Sequence, residues 1–361
     1  MTSNPSFCES MDYYNNYIRG YVNIPICFIG VIFNLFNILV FTRKNMISSA
    51  NLIFTNLAIA DLLTLLSSIP SLWIGFFQYY IALVQGDYEN WTHTRAVIYL
   101  YSIDFVEIFT KISVFLTVML AIWRHIAIAH PLKERYWCSM KTTRNTVIAI
   151  YVISVLFSIP LYFSYRILSI NGTDMYYLPL EVENSILLDI SFAITTVLKQ
   201  ILPSVVLPIF SFKLIVALLT NQRNKEKTIS SSNTRNKTRN LKMKQQVNRS
   251  IIITLTVLVL FLIIRLPAGL YKLIDPIPGV HNELPFFVHK CFERVRFIVE
   301  TLNVINMSIT FMVYYIMSQN FRATFKSLLF KSDGFSPRKM NLLPLGNTRK
   351  IDTIPETDQV Y

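Results

Sequence analysis

Charged side chains are scarce in this sequence. Asp, Glu, Lys and Arg together make up 15% of its 361 residues, whereas hydrophobic residues make up 53%. The mean hydropathy of +0.43 lies well to the apolar side of soluble globular proteins. These values argue against a soluble globular domain and favour a membrane protein.

The residue patterns of common catalytic and metal sites are also missing. The four cysteines include no Cys-x-x-Cys pair, and the five histidines are not spaced as metal ligands. The sequence has neither a glycine-rich phosphate loop nor a Gly-x-Ser-x-Gly turn. It therefore predicts a protein that is not an enzyme and holds no metal or other cofactor.

What the sequence does contain is seven long apolar blocks. A helix needs about 20 residues to cross the hydrocarbon core of a bilayer, which is about 30 Å thick. Each block is long enough, so we predict an all-α membrane protein. The spans cover residues 21–41, 52–77, 96–129, 147–167, 186–219, 250–273 and 295–317.

The distribution of Lys and Arg predicts the orientation of these spans. If the N-terminus is outside, the inner segments carry 22 basic residues and the outer segments seven. Cationic loops are retained in the cytoplasm, so this orientation is favoured, with the C-terminus inside. The net charge of +13 then lies mainly at the inner surface, where it suits anionic lipid or an acidic cytoplasmic protein and does not indicate nucleic acid. No cleavable signal peptide is evident, and the first span is expected to act as its own insertion signal.

The segments outside the spans fit this topology. Asn90 and Asn171 begin Asn-x-Thr sequences on the predicted outer face and are expected to be glycosylated. We divide the chain into an extracellular N-terminus (1–20), a membrane domain (21–317), an amphipathic helix (318–330) and a disordered cytoplasmic tail (331–361). The amphipathic helix has aromatic residues on one face and basic residues on another, as helices at membrane interfaces do.

Several motifs occur in a fixed order on these spans. Asn34 lies in the first span, Asp61 in the second, Arg124 near the end of the third, Pro267 in the sixth and Tyr314 in the seventh. This pattern resembles the rhodopsin-like (class A) G-protein-coupled receptors over nearly the whole chain. The segments LAIWRHIAIAHPLK and MSQNFRATF are most similar to a divergent invertebrate group that contains nematode Srw-type receptors and myosuppressin or FMRFamide neuropeptide receptors.

The resemblance implies a fold, a location and a set of activation residues. It implies a seven-transmembrane helix bundle with a short amphipathic eighth helix, located in the plasma membrane and coupled to a heterotrimeric G protein. Arg124 would contact the G protein and hydrogen-bond Tyr314 or backbone carbonyls, although a cation at this helix end is also what the inside-positive rule alone predicts. The residues implied to act in activation or coupling are Asn34, Asp61, Ser113, Arg124, Pro267, Asn306 and Tyr314.

The acid of the second span has two interpretations. In the resembling receptors, the positions of Ser113 and Asn306 help the acid at Asp61 to hold sodium or a proton. Thr310 replaces an asparagine of that site, which weakens the case for sodium. The alternative is a neutral aspartic acid that only joins helices through hydrogen bonds.

The sequence departs from the family pattern at three further positions. Trp123 replaces the acid that normally precedes Arg124, Arg265 replaces a tryptophan before the proline of the sixth span, and Tyr99 occupies the place of the usual cysteine. The usual extracellular disulfide is therefore not available. Cys8 and Cys291 are the only cysteines predicted to lie outside, and they form either a bridge or two free thiols.

The outer half of the predicted bundle contains an unusual number of charges. An amine receptor of this family would have an acid at Val106, so a biogenic amine is disfavoured and a charged peptide fits better. The ligands of the resembling receptors are neuropeptides ending in Arg-Phe-amide, whose guanidinium would bind one of the acids. Alternatively, these acids and bases only neutralise each other. The candidate ligand-binding residues are Asp104, Glu107 and Lys111, which share one face of the third span, with Lys199, Arg265 and Glu300.

Three functions remain open at this point. The leading hypothesis is a neuropeptide receptor that signals through a G protein. A chemosensory receptor of the same fold for an environmental small molecule is the second. A transporter is the third, although seven dissimilar spans lack the internal repeats common in transporters.

Overall fold

The computed structural model describes residues 7–78, 93–159, 165–167, 177–179, 202–229 and 286–329, together with Thr256, Val259 and Ile263. This part of the chain is almost entirely helical. Its helices are α1 (Phe7–Phe41), α2 (Ser49–Leu72), α3 (His93–Ala129), α4 (Pro131–Trp137), α5 (Met140–Leu156), α6 (Leu202–Ile229), α7 (Phe286–Met317) and α8 (Gln319–Leu329). A 3-10 turn at Lys44–Met46, a π-helical turn at Trp73–Gln78 and strands β1 (Tyr165–Ile167) and β2 (Tyr177–Pro179) complete it.

Three of the described helices are long and apolar enough to cross a membrane: Gly20–Phe41, Ser49–Gly75 and His93–Ala129. A fourth candidate is Glu300–Met317 with α8, which are bent by 101° at the break between them. These match the first, second, third and seventh predicted spans. The sixth predicted span lies almost wholly outside the described residues.

Several predicted boundaries differ from the structure, and α1 and α7 begin at Phe7 and Phe286, 14 and nine residues before the predicted first and seventh spans. The fourth span was predicted to reach residue 167, but α5 ends at Leu156 and residues Tyr165–Ile167 form a strand that pairs antiparallel with Tyr177–Pro179. Pro160 is compatible with this earlier end, since it has no backbone N–H to donate to the carbonyl of Leu156. Conversely, α6 continues to Ile229, ten residues beyond the predicted end of the fifth span.

Short sequence signals mark the first residues of helices α2, α4 and α5. The Ser48 hydroxyl accepts a hydrogen bond from the Asn51 backbone N–H at 3.1 Å and caps α2. Ser139 caps α5 in the same way, through the N–H of Thr142 at 3.3 Å. Helix α4 begins with Pro131, whose missing N–H costs nothing in a first turn. These signals fix where α2, α4 and α5 begin.

An aromatic cluster joins α1, α2, α7 and α8 at one end of the described structure. The ring of Tyr314 meets those of Phe41 and Phe54 edge-on, with 5.0 Å between centroids in each pair. Phe321 of α8 is completely buried and packs 5.3 Å from Phe41 and 5.7 Å from Phe311. Since aromatic pairs of this geometry add to the free energy of burial, the cluster fixes α8 against the bundle.

The contact between α1 and α7 is too close for a side chain at Gly30. A Cβ atom there would lie 2.7 Å from Cδ1 of Leu65 and 2.9 Å from Cβ of Ser308. We expect Gly30→Ala to lower stability by about 1 to 3 kcal/mol through overpacking. The thermal unfolding temperature of the purified protein would measure the loss.

The neighbouring variant Ile29→Ala provides the control, because Ile29 is 48% exposed on the outer surface of α1. Adding Ser308→Gly to Gly30→Ala should recover part of the loss. Wild-type stability of Gly30→Ala would show that this contact is looser than described.

Candidate functional site

A buried carboxyl links α2 to α3. Asp61 is 3% exposed, and the Ser113 hydroxyl donates a hydrogen bond of 2.7 Å to its Oδ1. One turn further along α3, the Thr117 hydroxyl donates a hydrogen bond to the Ser113 backbone carbonyl at 2.9 Å. The structure therefore brings together two of the residues named for the acid site. Asn306 lies half-buried on α7.

Asparagines of α1 make the matching link to α7. Asn34 Nδ2 donates to the carbonyls of Gly30 and Met307, each at 2.9 Å, and Asn37 Nδ2 donates to Thr310 Oγ1 at 3.3 Å. Both asparagines are completely buried. Thr310, the residue that replaces an asparagine of the family pattern, thus has a defined partner in α1. The role of Asn37 was not predicted from the sequence.

Arg124 lies at the end of α3 nearest to the aromatic cluster. Its Cζ is 5.9 Å from the centre of the Phe54 ring, a cation–π distance. Arg124 Nε and the Tyr314 hydroxyl are both buried, and neither has a hydrogen-bond partner in the described part of the chain. The hydrogen bond considered between Arg124 and Tyr314 therefore does not form here, because Phe41 and Phe54 hold the Tyr314 ring in place.

Trp123 is bonded to the corner of α4 and α5. Its indole N–H donates to Thr143 Oγ1 at 3.0 Å, and Thr143 is completely buried. The Cys138 thiol donates to the Trp123 carbonyl at 3.9 Å, and burial, with the nearby Glu134 carboxylate, raises the pKa of this thiol to about 11. Cys138 is thus a protonated, weakly nucleophilic thiol at neutral pH. These partners of Trp123 were missed in the sequence, where only the missing acid was evident.

His125 adds a contact between α3 and α6. Its ring meets Phe210 edge-on at 5.6 Å, and Lys213 lies over Phe210 at 5.7 Å. No residue of this contact was singled out in the sequence. A histidine in place of the family's tyrosine gives no distinctive signal before α6 is positioned.

The charged residues of α3 share one face, as their spacing predicts. Asp104 and Glu107 are half-buried, and Asp104 lies within electrostatic range of both Glu107 and Lys111. Lys111 is 2% exposed and donates a hydrogen bond to Ser158 Oγ at 3.0 Å, at the end of α5. Its ammonium group is thus directed to α5. A peptide that binds Lys111 would have to compete with Ser158 for this group.

The other predicted site residues are described in part or not at all. Glu300 lies half-buried on α7. Among the described residues, no group of three or more His, Cys, Asp or Glu side chains could hold a metal. Lys199, Arg265, Pro267, Asn90 and Asn171 lie outside the described residues, and so do the side chains of Cys8 and Cys291.

The chain is similar in sequence to several known receptors. The chain is 28% identical over 312 residues to sex peptide receptor-related protein 2 of Caenorhabditis elegans, covering 80% of this chain and 66% of that protein. It is 26% identical over 339 residues to the sex peptide receptor of Drosophila melanogaster, covering 89% and 74%. An FMRFamide peptide receptor of Caenorhabditis elegans is 27% identical over 155 residues, covering 42% and 34%. The chain thus spans about two thirds to three quarters of the first two relatives.

The family model for serpentine-type 7TM GPCR chemoreceptors of the Srw group matches residues 21–332. This range includes α2 to α8 and the part of α1 that carries Asn34. It confirms the resemblance inferred from the motifs, and a receptor family leaves the transporter hypothesis without support. The chain belongs to the Srw-type family of rhodopsin-like G-protein-coupled receptors, which are multi-pass plasma-membrane proteins.

Proposed function

We propose that this receptor binds an extracellular neuropeptide, of the amidated Arg-Phe type, and activates a heterotrimeric G protein. The observation that carries the proposal is the likeness to receptors named for sex peptide over most of the chain, together with a likeness to an FMRFamide peptide receptor over 42% of it. It is supported by the half-buried acids Asp104 and Glu107 on α3, which suit a peptide guanidinium.

The proposed architecture is the seven-span bundle with α8 as the amphipathic eighth helix. The N-terminus is outside, and the basic segments face the cytoplasm, since this orientation follows the inside-positive rule. Helix α8 supports it: Phe321 is buried while Lys326 is exposed, as expected at a membrane interface in contact with anionic lipid. Asn90 and Asn171 then lie outside and are glycosylated.

The proposed ligand site is the outer half of the bundle. A peptide guanidinium binds Asp104, Glu107 or Glu300, and Lys111, Lys199 and Arg265 balance the remaining charge. Arg265 pairs with Glu300 or Glu107 at rest, so a ligand that takes over the acid releases Arg265. Because Pro267 weakens its helix two residues later, the sixth span bends and transmits the change inwards.

The coupling site is the other end of α3. Arg124 Nε and the Tyr314 hydroxyl have no hydrogen-bond partner among the described residues, so they are the groups that a rearrangement would bring into hydrogen bonds. Asp61 joins α2 to α3, and Asn34 joins α1 to α7. Opening at this end admits the G-protein α subunit to Arg124. The aromatic cluster keeps these groups dry until then.

Trp123 is expected to leave the resting state weakly held. An acid at this position would pair with Arg124, but the indole cannot accept a hydrogen bond and donates to Thr143 instead. We expect Trp123→Asp to lower agonist-free signalling by roughly 5-fold or more at equal surface expression, since pairs of this kind couple states by about 1 to 3 kcal/mol. A cellular G-protein activation assay without ligand measures this output.

The control for this variant is Thr143→Val, which removes the Trp123 hydrogen bond without adding an acid. Thr143→Val should not lower basal signalling. Equal reduction by both variants would mean that the contact with α5, and not the missing acid, sets the resting state.

A disulfide between Cys8 and Cys291 is proposed from the parallel course of α1 and α7. The Ser308 hydroxyl donates to the Ile26 carbonyl at 3.2 Å, which fixes the two helices at one level. By the rise of a helix, Cys8 lies about 27 Å from Ile26 and about 33 Å from Gly30, which also faces Ser308, and Cys291 lies about 26 Å from Ser308 in the same direction. The bridge would contribute about 4 to 5 kcal/mol through chain entropy, less any strain. Peptide mapping of the non-reduced protein should find the linked pair, and alkylation of both thiols would show that there is no bridge.

The second candidate function is a chemosensory receptor for a small environmental molecule. The observation in its favour is the family itself, which is described as a chemoreceptor family. Expression in ciliated sensory endings would favour it, whereas expression in interneurons or muscle would favour the neuropeptide receptor.

The test is a screen of the chain expressed with a promiscuous G protein. The panel contains Arg-Phe-amide peptides, the same peptides as free acids and a set of small odorants. We expect a response to at least one amidated peptide and a much weaker one to its free acid. A response only to small molecules would contradict the proposed ligand class.

A further inference from the structure

An apolar groove opens where α3, α4 and α5 meet. It encloses about 490 Å³, which is within the range of about 300 to 1,000 Å³ typical of ligand sites. The groove is separate from the charged face of α3, since none of Asp104, Glu107 and Lys111 lines it. Its lining residues are Ile122, Trp123, Ile126, Tyr136, Trp137 and Thr142.

The exposed surface beside this groove is apolar and continuous. Ala149, Ile153 and Leu156 lie on the same face of α5 as the lining residue Thr142, and all three are exposed, Ile153 to 43% and Leu156 to 57%. At the groove itself, Tyr136 is 80% exposed and Trp137 54%. In a membrane protein such a face contacts hydrocarbon, and Trp and Tyr are enriched where hydrocarbon meets water.

The rim of the groove is cationic. Lys133, Arg135, Lys141 and Arg144 are all exposed on α4 and the first turn of α5, with Glu134 as the only acid among them. Lys133 Nζ lies 6.0 Å from the centre of the Trp137 ring, and Lys141 is adjacent to the lining residue Thr142. An anionic headgroup at this rim would be attracted, whereas a zwitterionic one would gain little.

We infer that the groove binds an anionic phospholipid of the inner leaflet. One acyl chain lies in the groove between Trp123 and Trp137 and continues along the apolar face of α5, and the phosphate binds Lys133 and Lys141. The inference rests on the proposed orientation, which places α4 at the cytoplasmic surface. It goes beyond the peptide site, because it assigns a separate lipid ligand to the receptor.

The experiment uses the full chain in lipid nanodiscs, with Trp73→Phe and Trp91→Phe so that Trp123 and Trp137 are the fluorescent reporters. Lipids with brominated acyl chains quench tryptophan on contact. Brominated phosphatidylserine is compared with brominated phosphatidylcholine in discs of equal total charge. We expect half-maximal quenching at a several-fold lower mole fraction of the brominated phosphatidylserine, since each lysine near an anionic lipid strengthens binding roughly 5-fold.

Lys141→Ala, alone and with Lys133→Ala, should reduce this preference stepwise. Lys326→Ala on α8 is the matched control and should leave it unchanged. Equal quenching by the two lipids, or a preference that survives the double substitution, would overturn the inference. Neither peptide nor G protein is present, so failure of the proposed ligand class would leave this result intact.

Discussion

Replacing Arg124 with alanine is expected to reduce ligand-stimulated G-protein activation strongly while the receptor still folds. Its guanidinium lies over the Phe54 ring, and its Nε has no hydrogen-bond partner in the part of the chain that the structure describes, so few contacts of the resting state are lost with it. Coupling between two sites is typically worth about 1 to 3 kcal/mol, so the response should fall roughly 5- to 150-fold. Agonist-stimulated nucleotide exchange, normalised to surface expression, measures the loss.

Two matched variants distinguish a role of Arg124 in G-protein coupling from an effect of its positive charge alone. Arg124→Lys keeps the cation but not the planar fork of donors, and it should recover only part of the response. Arg43→Ala removes an exposed cation at the end of α1 and should have little effect. If Arg124→Ala signals normally, Arg124 is only a cationic flank that obeys the inside-positive rule.

The second large effect is expected at Asp61. Asp61→Ala removes the acceptor of the Ser113 hydroxyl and leaves that buried donor unsatisfied, which costs about 1 to 3 kcal/mol. Surface expression should therefore fall, and the receptors that remain should signal poorly. Flow cytometry and a nucleotide-exchange assay measure the two losses separately.

Asp61→Asn distinguishes the two interpretations of the acid. The amide oxygen still accepts the Ser113 hydrogen bond, so expression should recover. If a carboxyl group that can ionise or hold a cation is needed for activation, signalling stays low. Normal signalling by Asp61→Asn would support the alternative, in which the residue only joins α2 to α3.

The positions of the spans were easier to predict from the sequence than the residues at which the helices end. Spans one to three could be read from composition, because about 20 apolar residues in sequence have few alternatives to a membrane helix. The end of α5 was placed too late because the apolar residues continue past Pro160, and hydropathy does not register a missing backbone donor. The continuation of α6 through a polar segment to Ile229 was missed for the converse reason.

The site was predictable where chemistry restricts the choice of partner. A buried acid such as Asp61 requires a donor, and Ser113, which donates to it, is one of the two residues, with Asn306, that the family resemblance placed at the acid site. The partners of Trp123 and Lys111 could not be predicted in this way, because Thr143 and Ser158 are ordinary helix residues until α5 is packed against α3. Sequence spacing fixes a face of a helix but not the neighbour that the face meets.

The most direct measurement of the central claim uses the purified receptor in nanodiscs with a heterotrimeric G protein and an amidated peptide found in the screen. The peptide should accelerate guanine-nucleotide exchange. The peptide should raise the affinity of the receptor for the nucleotide-free G protein by some factor. By linkage, that G protein should raise the affinity of the receptor for the peptide by the same factor. A peptide that binds with the same affinity with and without the G protein, and that does not accelerate exchange, would contradict the proposal that this chain is a peptide-activated receptor.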